Sequence, residues 1–178
     1  MIKIVVGNMF DYPGAYLLVG SNIRGHCTKP TSLVSQSLQY LEPEELIEYQ
    51  EDVKTDGKYG DIVFYSMKDE APFRKLLIGF PGTGHQETFE QVIVNAISTV
   101  TVFGFQGVEP TITIPLLGTN VGGLSLGEWA EGFNKAIARL TENHTKGSMF
   151  VGDITIVCKT NEQKDYLDKT ILPYPEIA

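Results

Sequence analysis

The segment from Thr111 to Leu140, "TITIPLLGTNVGGLSLGEWAEGFNKAIARL", constrains the fold most, because an apolar run, a glycine-rich loop and a helical pattern follow one another directly. Residues Thr111 to Leu116 form a short β-rich run, which predicts a strand. Beyond the loop, apolar residues recur at spacings of three and four, which is typical of a helix with one buried face. These residues are Trp129, Phe133, Ala136, Ile137 and Leu140.

The remaining chain alternates similar runs. Further strands are predicted at Ile2–Val6, Tyr16–Val19, "GDIVFYSM", "RKLLIGF" and "DITIVCK", the third and fourth of these as a hairpin. Helices are predicted in "SLVSQSLQYL", "PEELIEYQ", "ETFEQVIVNAISTVTVFGF" and "NEQKDYLDKTIL", the last with Asn161 as its N-cap. Helices that alternate with apolar strands predict an α/β fold, a three-layer α/β/α domain with a mixed central sheet.

Length and charge limit the function classes. The chain has 178 residues, of which 42% are hydrophobic, so we expect a single domain over residues 1–178. Its net charge is -8, and no cluster of lysine or arginine is present. Nucleic acid and anionic membranes are therefore not expected as partners.

Cysteine usage and the first residues indicate a location. The two cysteines, Cys27 and Cys158, are too few for a secreted disulfide framework. The start, "MIKIVVGNMFDYPG", has an apolar stretch far shorter than a signal peptide or a membrane span requires. We therefore expect a cytoplasmic protein.

A first glycine-rich loop, "GFPGTGHQ" at Gly79 to Gln86, has the glycine spacing of a Walker A loop. His85 and Gln86 stand where that loop needs lysine and serine or threonine. Because phosphoryl transfer depends on both side chains, ATPase activity is not expected.

The second glycine-rich loop, Gly118 to Gly123, contains three glycines in six residues at the end of a predicted strand. Glycines there allow a ligand to approach the backbone, and Thr119 and Asn120 add side-chain donors and acceptors. The same glycines are also what a tight turn requires, so the pattern leaves both interpretations open.

Other reactive side chains give weaker patterns. His26 and Cys27 are adjacent, but neighbours in sequence seldom present their side chains to each other, and no third orienting group is evident. No H-x-x-x-H or C-x-x-C spacing is present, so we expect no metal site, and no cofactor is indicated.

Several segments resemble macro domains. "ITIPLLGTNVGG", its following helix and "DITIVC" resemble the carboxyl-terminal half of that family. "RKLLIGFPG", "GDIVFYSM" and "IKIVVGNMFDYPGAYLLVGSN" resemble its earlier strands and turns. The resemblance covers nearly the whole chain and implies the macro-domain fold and binding of ADP-ribose or a related nucleotide.

The resemblance also implies roles for individual residues. Asn8 stands where the family has an aspartate that binds the adenine amine, and Asp11 is a nearby carboxylate. Asn22 matches an asparagine that contacts the distal ribose and is the best candidate for a catalytic residue. Arg24 is the cation of the loop that follows Asn22, "IRGHCTKPTS", which has a single glycine where the family has several. Contacts to phosphate and distal ribose are implied for Gly118, Thr119, Asn120, Val121, Gly122 and Gly123.

Three functions are compatible with these residues. The first is a module that binds ADP-ribose or a related phosphate metabolite. The second is a hydrolase of ADP-ribosyl or related phosphoesters, in which ligand and positioned water supply much of the catalysis. The third is a non-catalytic interaction or regulatory domain, similar to the amino-terminal domain of leucine aminopeptidases. The sequence does not indicate the oligomeric state.

Overall fold

The computed structural model describes residues 2–21, 32–52, 58–82, 85–104, 109–119, 123–142 and 153–172. The strands are β1 (Ile2–Val6), β2 (Gly14–Gly20), β3 (Ile62–Ser66), β4 (Phe73–Gly79), β5 (Ile112–Pro115) and β6 (Ile154–Cys158). The helices are α1 (Leu33–Leu38), α2 (Pro43–Asp52), α3 (Gln86–Gly104), α4 (Leu126–Glu142) and α5 (Asn161–Thr170). A short 3-10 helix, Met9–Asp11, lies between β1 and β2.

The strands form one six-stranded sheet in the order β1-β6-β5-β2-β4-β3. Neighbouring strands are parallel except β3, which pairs with β4 in the opposite direction. The predicted mixed sheet and the predicted hairpin are both confirmed.

Helices cover both faces of the sheet, which confirms the predicted three layers. Along β2, Tyr16 and Leu18 belong to a core shared with α3, α4 and α5, whereas Leu17 and Val19 belong to a second core shared with α1 and α2. Alternate side chains of a strand point to opposite faces, so a strand covered on both sides must be apolar throughout. Residues 15 to 19 of β2 are all buried.

The pairing of α3 with α4 builds the larger core. Trp129 stacks on Phe133 with ring centroids 5.4 Å apart and planes 6° from parallel, and its ring lies 5.3 Å from that of Phe89. A Cβ at Gly132 would lie 2.8 Å from the Phe89 ring, so this glycine lets the two helices approach closely. All five residues of the predicted apolar stripe on α4 are buried.

Several element boundaries differ from the sequence prediction; β2, for example, runs from Gly14 to Gly20 and is longer than the predicted Tyr16–Val19. The strand β5 runs from Ile112 to Pro115 and is shorter than the predicted Thr111 to Leu116, because a turn begins at Leu116. Asn161 is not the N-cap of α5. Thr160 is, since its side chain accepts from the N–H of Gln163 and the Gln163 side chain accepts from the N–H of Thr160.

Within the described part of the chain, no helix is long and apolar enough to cross a membrane. The longest helix, α3, has 19 residues and includes Glu87, Glu90 and Gln91.

Candidate ligand-binding site

The five parallel strands end at the same edge of the sheet, and the candidate site is built there. Both glycine-rich loops start at this edge, since β4 ends at Gly79 and β5 ends at Pro115. Open α/β sheets bind ligands at the carboxyl ends of their strands. The fold thus brings together loops that are far apart in sequence.

The strands β2 and β5 are adjacent, but the elements that follow them lie on opposite faces. After β2 the next described helix is α1, which packs on the face of Leu17 and Val19. After β5 the chain enters α4, which packs on the face of Tyr16 and Leu18. Such a reversal between neighbouring strands leaves a crevice at their carboxyl ends.

Pairing between β2 and β5 is also interrupted at this edge. The register ends at Leu17 and Thr113, although both strands continue, whereas β2 and β4 stay paired as far as Gly20 and Gly79. Leu117 occupies the gap: a Cβ at Gly20 would lie 3.2 Å from Leu117 Cβ and 3.6 Å from Pro81 Cγ. These three residues form the floor of the crevice. No pattern in the sequence predicts this meeting of three loops.

The second glycine-rich loop opens with a tight turn. The N–H of Thr119 bonds to the carbonyl of Leu116 at 3.4 Å, and Gly118, the third residue of this turn, has φ +81°. Because Leu117, the second residue, has no positive φ, a positive φ at the third residue indicates a type II turn, which favours glycine. The Thr119 hydroxyl donates to the same Leu116 carbonyl at 2.7 Å and holds the turn from its other end.

The far end of the loop is hydrogen-bonded to the turn. Leu124 N–H donates to the Gly118 carbonyl at 2.9 Å, and Gly123 has φ +76°. Leu124 is buried, so its side chain anchors the closed loop to the core. Of the predicted ligand contacts, the structure thus brings Gly118, Thr119 and Gly123 to the crevice edge, while Asn120, Val121 and Gly122 lie outside the described residues.

The first turn of α4 is already occupied by a capping box. Glu128 N–H bonds to the Ser125 hydroxyl at 3.1 Å, and Ser125 N–H bonds to the Glu128 carboxylate at 3.0 Å. This carboxylate takes the place at the positive end of the helix that a bound anion would otherwise use. The S-x-x-E spacing predicts such a cap, and the sequence interpretation missed it. The backbone N–H groups of Ser125 and Glu128 are therefore already paired at the start of α4.

Asn8 lies at the carboxyl end of β1, on the same edge, with β6 between β1 and β5. It is exposed, and its side-chain oxygen accepts from Phe10 N–H at 2.9 Å. The local role of Asn8 is therefore to cap the 3-10 helix.

Asp11 ends the 3-10 helix and is exposed. Its neighbours reach both edges of the sheet: Phe10 contacts Phe73 at the start of β4, whereas the Tyr12 hydroxyl donates to the Val6 carbonyl, at the carboxyl end of β1, at 2.7 Å. None of the described contacts brings Asp11 to Gly118.

Four residues considered in the sequence lie outside the described residues, namely Asn22, Arg24, His26 and Cys27. His85 is exposed and directly precedes α3, where its carbonyl accepts from the Thr88 hydroxyl and Phe89 N–H. At the end of β6, burial raises the pKa of the Cys158 thiol to about 11. This thiol stays protonated at neutral pH and is not a nucleophile.

Among the residues that the structure describes, no group of three or more histidine, cysteine, aspartate or glutamate side chains could hold a metal ion. The described segments that follow β2, β4 and β5, namely Ser21, Phe80–Gly82 and Leu116–Thr119, contain neither lysine nor arginine. The hydrogen-bond donors of these segments are therefore backbone N–H groups and the hydroxyls of Ser21 and Thr119.

Comparison with known proteins identifies the fold. No family model matches the sequence. No curated protein matches it either. Solved structures do match: an Oceanobacillus iheyensis macrodomain with MES bound has a TM-score of 0.74 and 17% sequence identity, covering 95% of this chain and 89% of that one.

Two further structures contain nucleotides. A mutant of the Oceanobacillus iheyensis macrodomain with ADPR has a TM-score of 0.72 at 18% identity, covering 95% of this chain and 90% of that one. The Trypanosoma brucei macrodomain in complex with ADP has a TM-score of 0.73 at 16% identity, covering 95% of this chain and 68% of that one. The chain therefore has the macrodomain fold.

Proposed function

We propose that this chain, which has the macrodomain fold, binds ADP-ribose or a related nucleotide at the carboxyl ends of β2 and β5. The observation that carries the proposal is the closed glycine loop, which opens in a type II turn at the crevice between these strands. Matching macrodomains with ADP-ribose or ADP bound support the choice of ligand.

The phosphates rest on the backbone of the loop from Gly118 to Gly123. Gly118 N–H makes no hydrogen bond to a described residue, and a glycine lets a phosphate oxygen approach it closely. The chain carries a net charge of -8, so long-range attraction does not assist an anionic ligand. Binding depends on short hydrogen bonds to backbone groups, and we expect its salt dependence to be weak.

The base end of the nucleotide lies towards Asn8. With β6 between them, β1 and β5 are about 10 Å apart, so a ligand that contacts both Asn8 and Gly118 spans at least that distance. The Asn8 oxygen already accepts from Phe10 N–H, so its amide N–H groups remain to meet the base. The proposed contacts to ribose and phosphate are completed by Asn22, Arg24, Asn120, Val121 and Gly122. Asp11, the carboxylate near Asn8, stays a proposed ligand contact.

Calorimetric titration tests the proposal. ADP-ribose and ADP both carry the diphosphate and should bind, whereas adenosine should bind much more weakly because it lacks the groups that the loop recognises. The absence of binding heat at millimolar ADP-ribose would overturn the proposed function.

The two alternative functions give different results in the same experiments. A hydrolase would bind ADP-ribose and would also release it from O-acetyl-ADP-ribose, with loss of release in Asn22→Ala. A regulatory domain without a nucleotide would show neither binding nor release.

The single-domain organisation and the cytoplasmic location stay predictions from the sequence.

A further inference from the structure

The single tryptophan of the chain, Trp129, contacts the turn that opens the second glycine-rich loop through its indole nitrogen. Its N–H donates to the Leu117 carbonyl at 3.1 Å, and the side chain is fully buried. Stacking on Phe133 and contact with Phe89 leave the ring little freedom to turn. The position of this donor is therefore set by the packing of α3 against α4.

The Leu117 carbonyl belongs to the central peptide of the type II turn. A trans peptide is planar, so its carbonyl and the N–H of the next residue point in opposite directions. Type I and type II turns differ by a flip of this central peptide. The indole bond holds the Leu117 carbonyl towards α4, and Gly118 N–H consequently points away from α4.

We propose that Trp129 is a positioning residue for the ligand site: its indole N–H fixes the Leu117–Gly118 peptide so that Gly118 N–H faces the phosphate. The role in binding rests on the proposed function, whereas the control of the peptide orientation does not. Without the indole donor, the turn populates the flipped peptide, which presents a carbonyl oxygen to the anion.

Benzothienylalanine, in which sulfur replaces the indole N–H, tests this role without opening a cavity. Because the chain has one tryptophan, incorporation in a tryptophan auxotroph changes position 129 alone. We expect the Gly118 amide resonance of the ligand-free protein to move in a ¹H–¹⁵N spectrum. We also expect the calorimetric Kd for ADP-ribose to rise about tenfold, the upper range for one lost hydrogen bond.

Leu140→Ala is the matched control, because it removes buried side-chain volume from α4 and leaves Trp129 and both of its aromatic neighbours in place. It should lower Tm and leave both the Gly118 resonance and the Kd unchanged. An unmoved Gly118 resonance in the sulfur-substituted protein would overturn control of the peptide, and an unchanged Kd would overturn the role in binding. Failure of the unmodified protein to bind ADP-ribose would overturn the proposed function and, with it, the role of Trp129 in binding. The Gly118 resonance would still decide whether Trp129 orients the Leu117–Gly118 peptide.

Discussion

Leu124 N–H donates a 2.9 Å hydrogen bond to the Gly118 carbonyl, and a Cβ added at Gly118 would lie 3.1 Å from Leu124 Cδ1. The two residues thus close the loop at the crevice edge and leave no room for a larger side chain at its first position. The backbone N–H of Leu124 is bonded to Gly118, and the side chain of Leu124 packs in the space that the missing side chain of Gly118 leaves.

Gly118→Ala is expected to lower the free energy of unfolding by about 1–2 kcal/mol, because alanine is strained at positive φ. It should also weaken ADP-ribose binding, since the strain favours a turn with a different orientation of the Leu117–Gly118 peptide. Urea denaturation and calorimetry measure the two effects.

Gly127→Ala is the control for that variant. Gly127 lies in the first turn of α4 and has no positive φ, and its Cβ would meet the Tyr166 hydroxyl at 3.1 Å, the movable end of a side chain. We expect a change of at most about 1 kcal/mol and an unaltered Kd. Equal effects of the two substitutions would contradict a special role for Gly118.

Loss of the hydroxyl group should change the free energy of unfolding in opposite directions at two buried tyrosines. The Tyr16 hydroxyl is buried without a hydrogen-bond partner among the described residues, so Tyr16→Phe should stabilise the protein by about 1 kcal/mol. The Tyr65 hydroxyl donates to Asp52 at 2.7 Å, so Tyr65→Phe should destabilise it by about 1–2 kcal/mol. Urea denaturation at pH 7 compares them, and a destabilised Tyr16→Phe would contradict the burial of an unpaired hydroxyl.

Alkaline pH should destabilise the protein through the same tyrosines. Burial raises the pKa of Tyr16 from 10.0 to about 12, and burial, followed by the hydrogen bond to Asp52, raises the pKa of Tyr65 further. Above pH 10 the unfolded chain releases the tyrosine protons while the folded chain retains them, so the stability that these two tyrosines contribute is constant below pH 10 and falls as pH rises. The buried Cys158 thiol, whose pKa is raised from 9.0 to about 11, adds a loss that begins near pH 9 and is common to the variants compared. Urea midpoints between pH 9 and about 11.5 measure this loss. The double variant Tyr16→Phe/Tyr65→Phe should lose less stability over this pH range than the unsubstituted protein. An equal loss would contradict the assignment of the pH dependence to these two tyrosines.

The contact between β4 and α3 gives a fourth prediction. A Cβ at Gly79 would lie 2.4 Å from Val92 Cγ1, so Gly79→Ala should cost about 1–3 kcal/mol through overpacking. Adding Val92→Ala makes space for the new methyl group. The double variant should therefore be more stable than the sum of the single effects predicts, and strict additivity would contradict this contact.

Local patterns in the sequence predicted much of the fold. The stripe on α4 and the β3–β4 hairpin follow from periodicity, because each depends on neighbouring residues. The strand order does not, since the pairing of β2 with β5 joins residues about a hundred positions apart. The N-cap of α5 was misplaced by one residue, because both Thr160 and Asn161 are favourable caps and only the backbone geometry distinguishes them.

The candidate site was predictable to a lesser extent. Three glycines after a strand indicated the loop, but the floor of Gly20, Pro81 and Leu117 depends on the convergence of three strand ends. Trp129 was correctly assigned to the core, and its hydrogen bond was missed. The general tendency of buried indole N–H groups to find a partner was the available signal.

Titrating ADP-ribose into the ¹⁵N-labelled protein tests whether the ligand binds at the carboxyl ends of β2 and β5. We expect amide shifts to concentrate around the carboxyl ends of β2, β4 and β5, at Gly20, Ser21, Gly82, Gly118 and Gly123. The described surface also has a groove of about 430 Å³ between α4 and α5, lined in part by Lys135, Tyr166 and Leu172. Shifts confined to that groove, with the Gly118 amide unmoved, would contradict a ligand site at the carboxyl ends of β2 and β5.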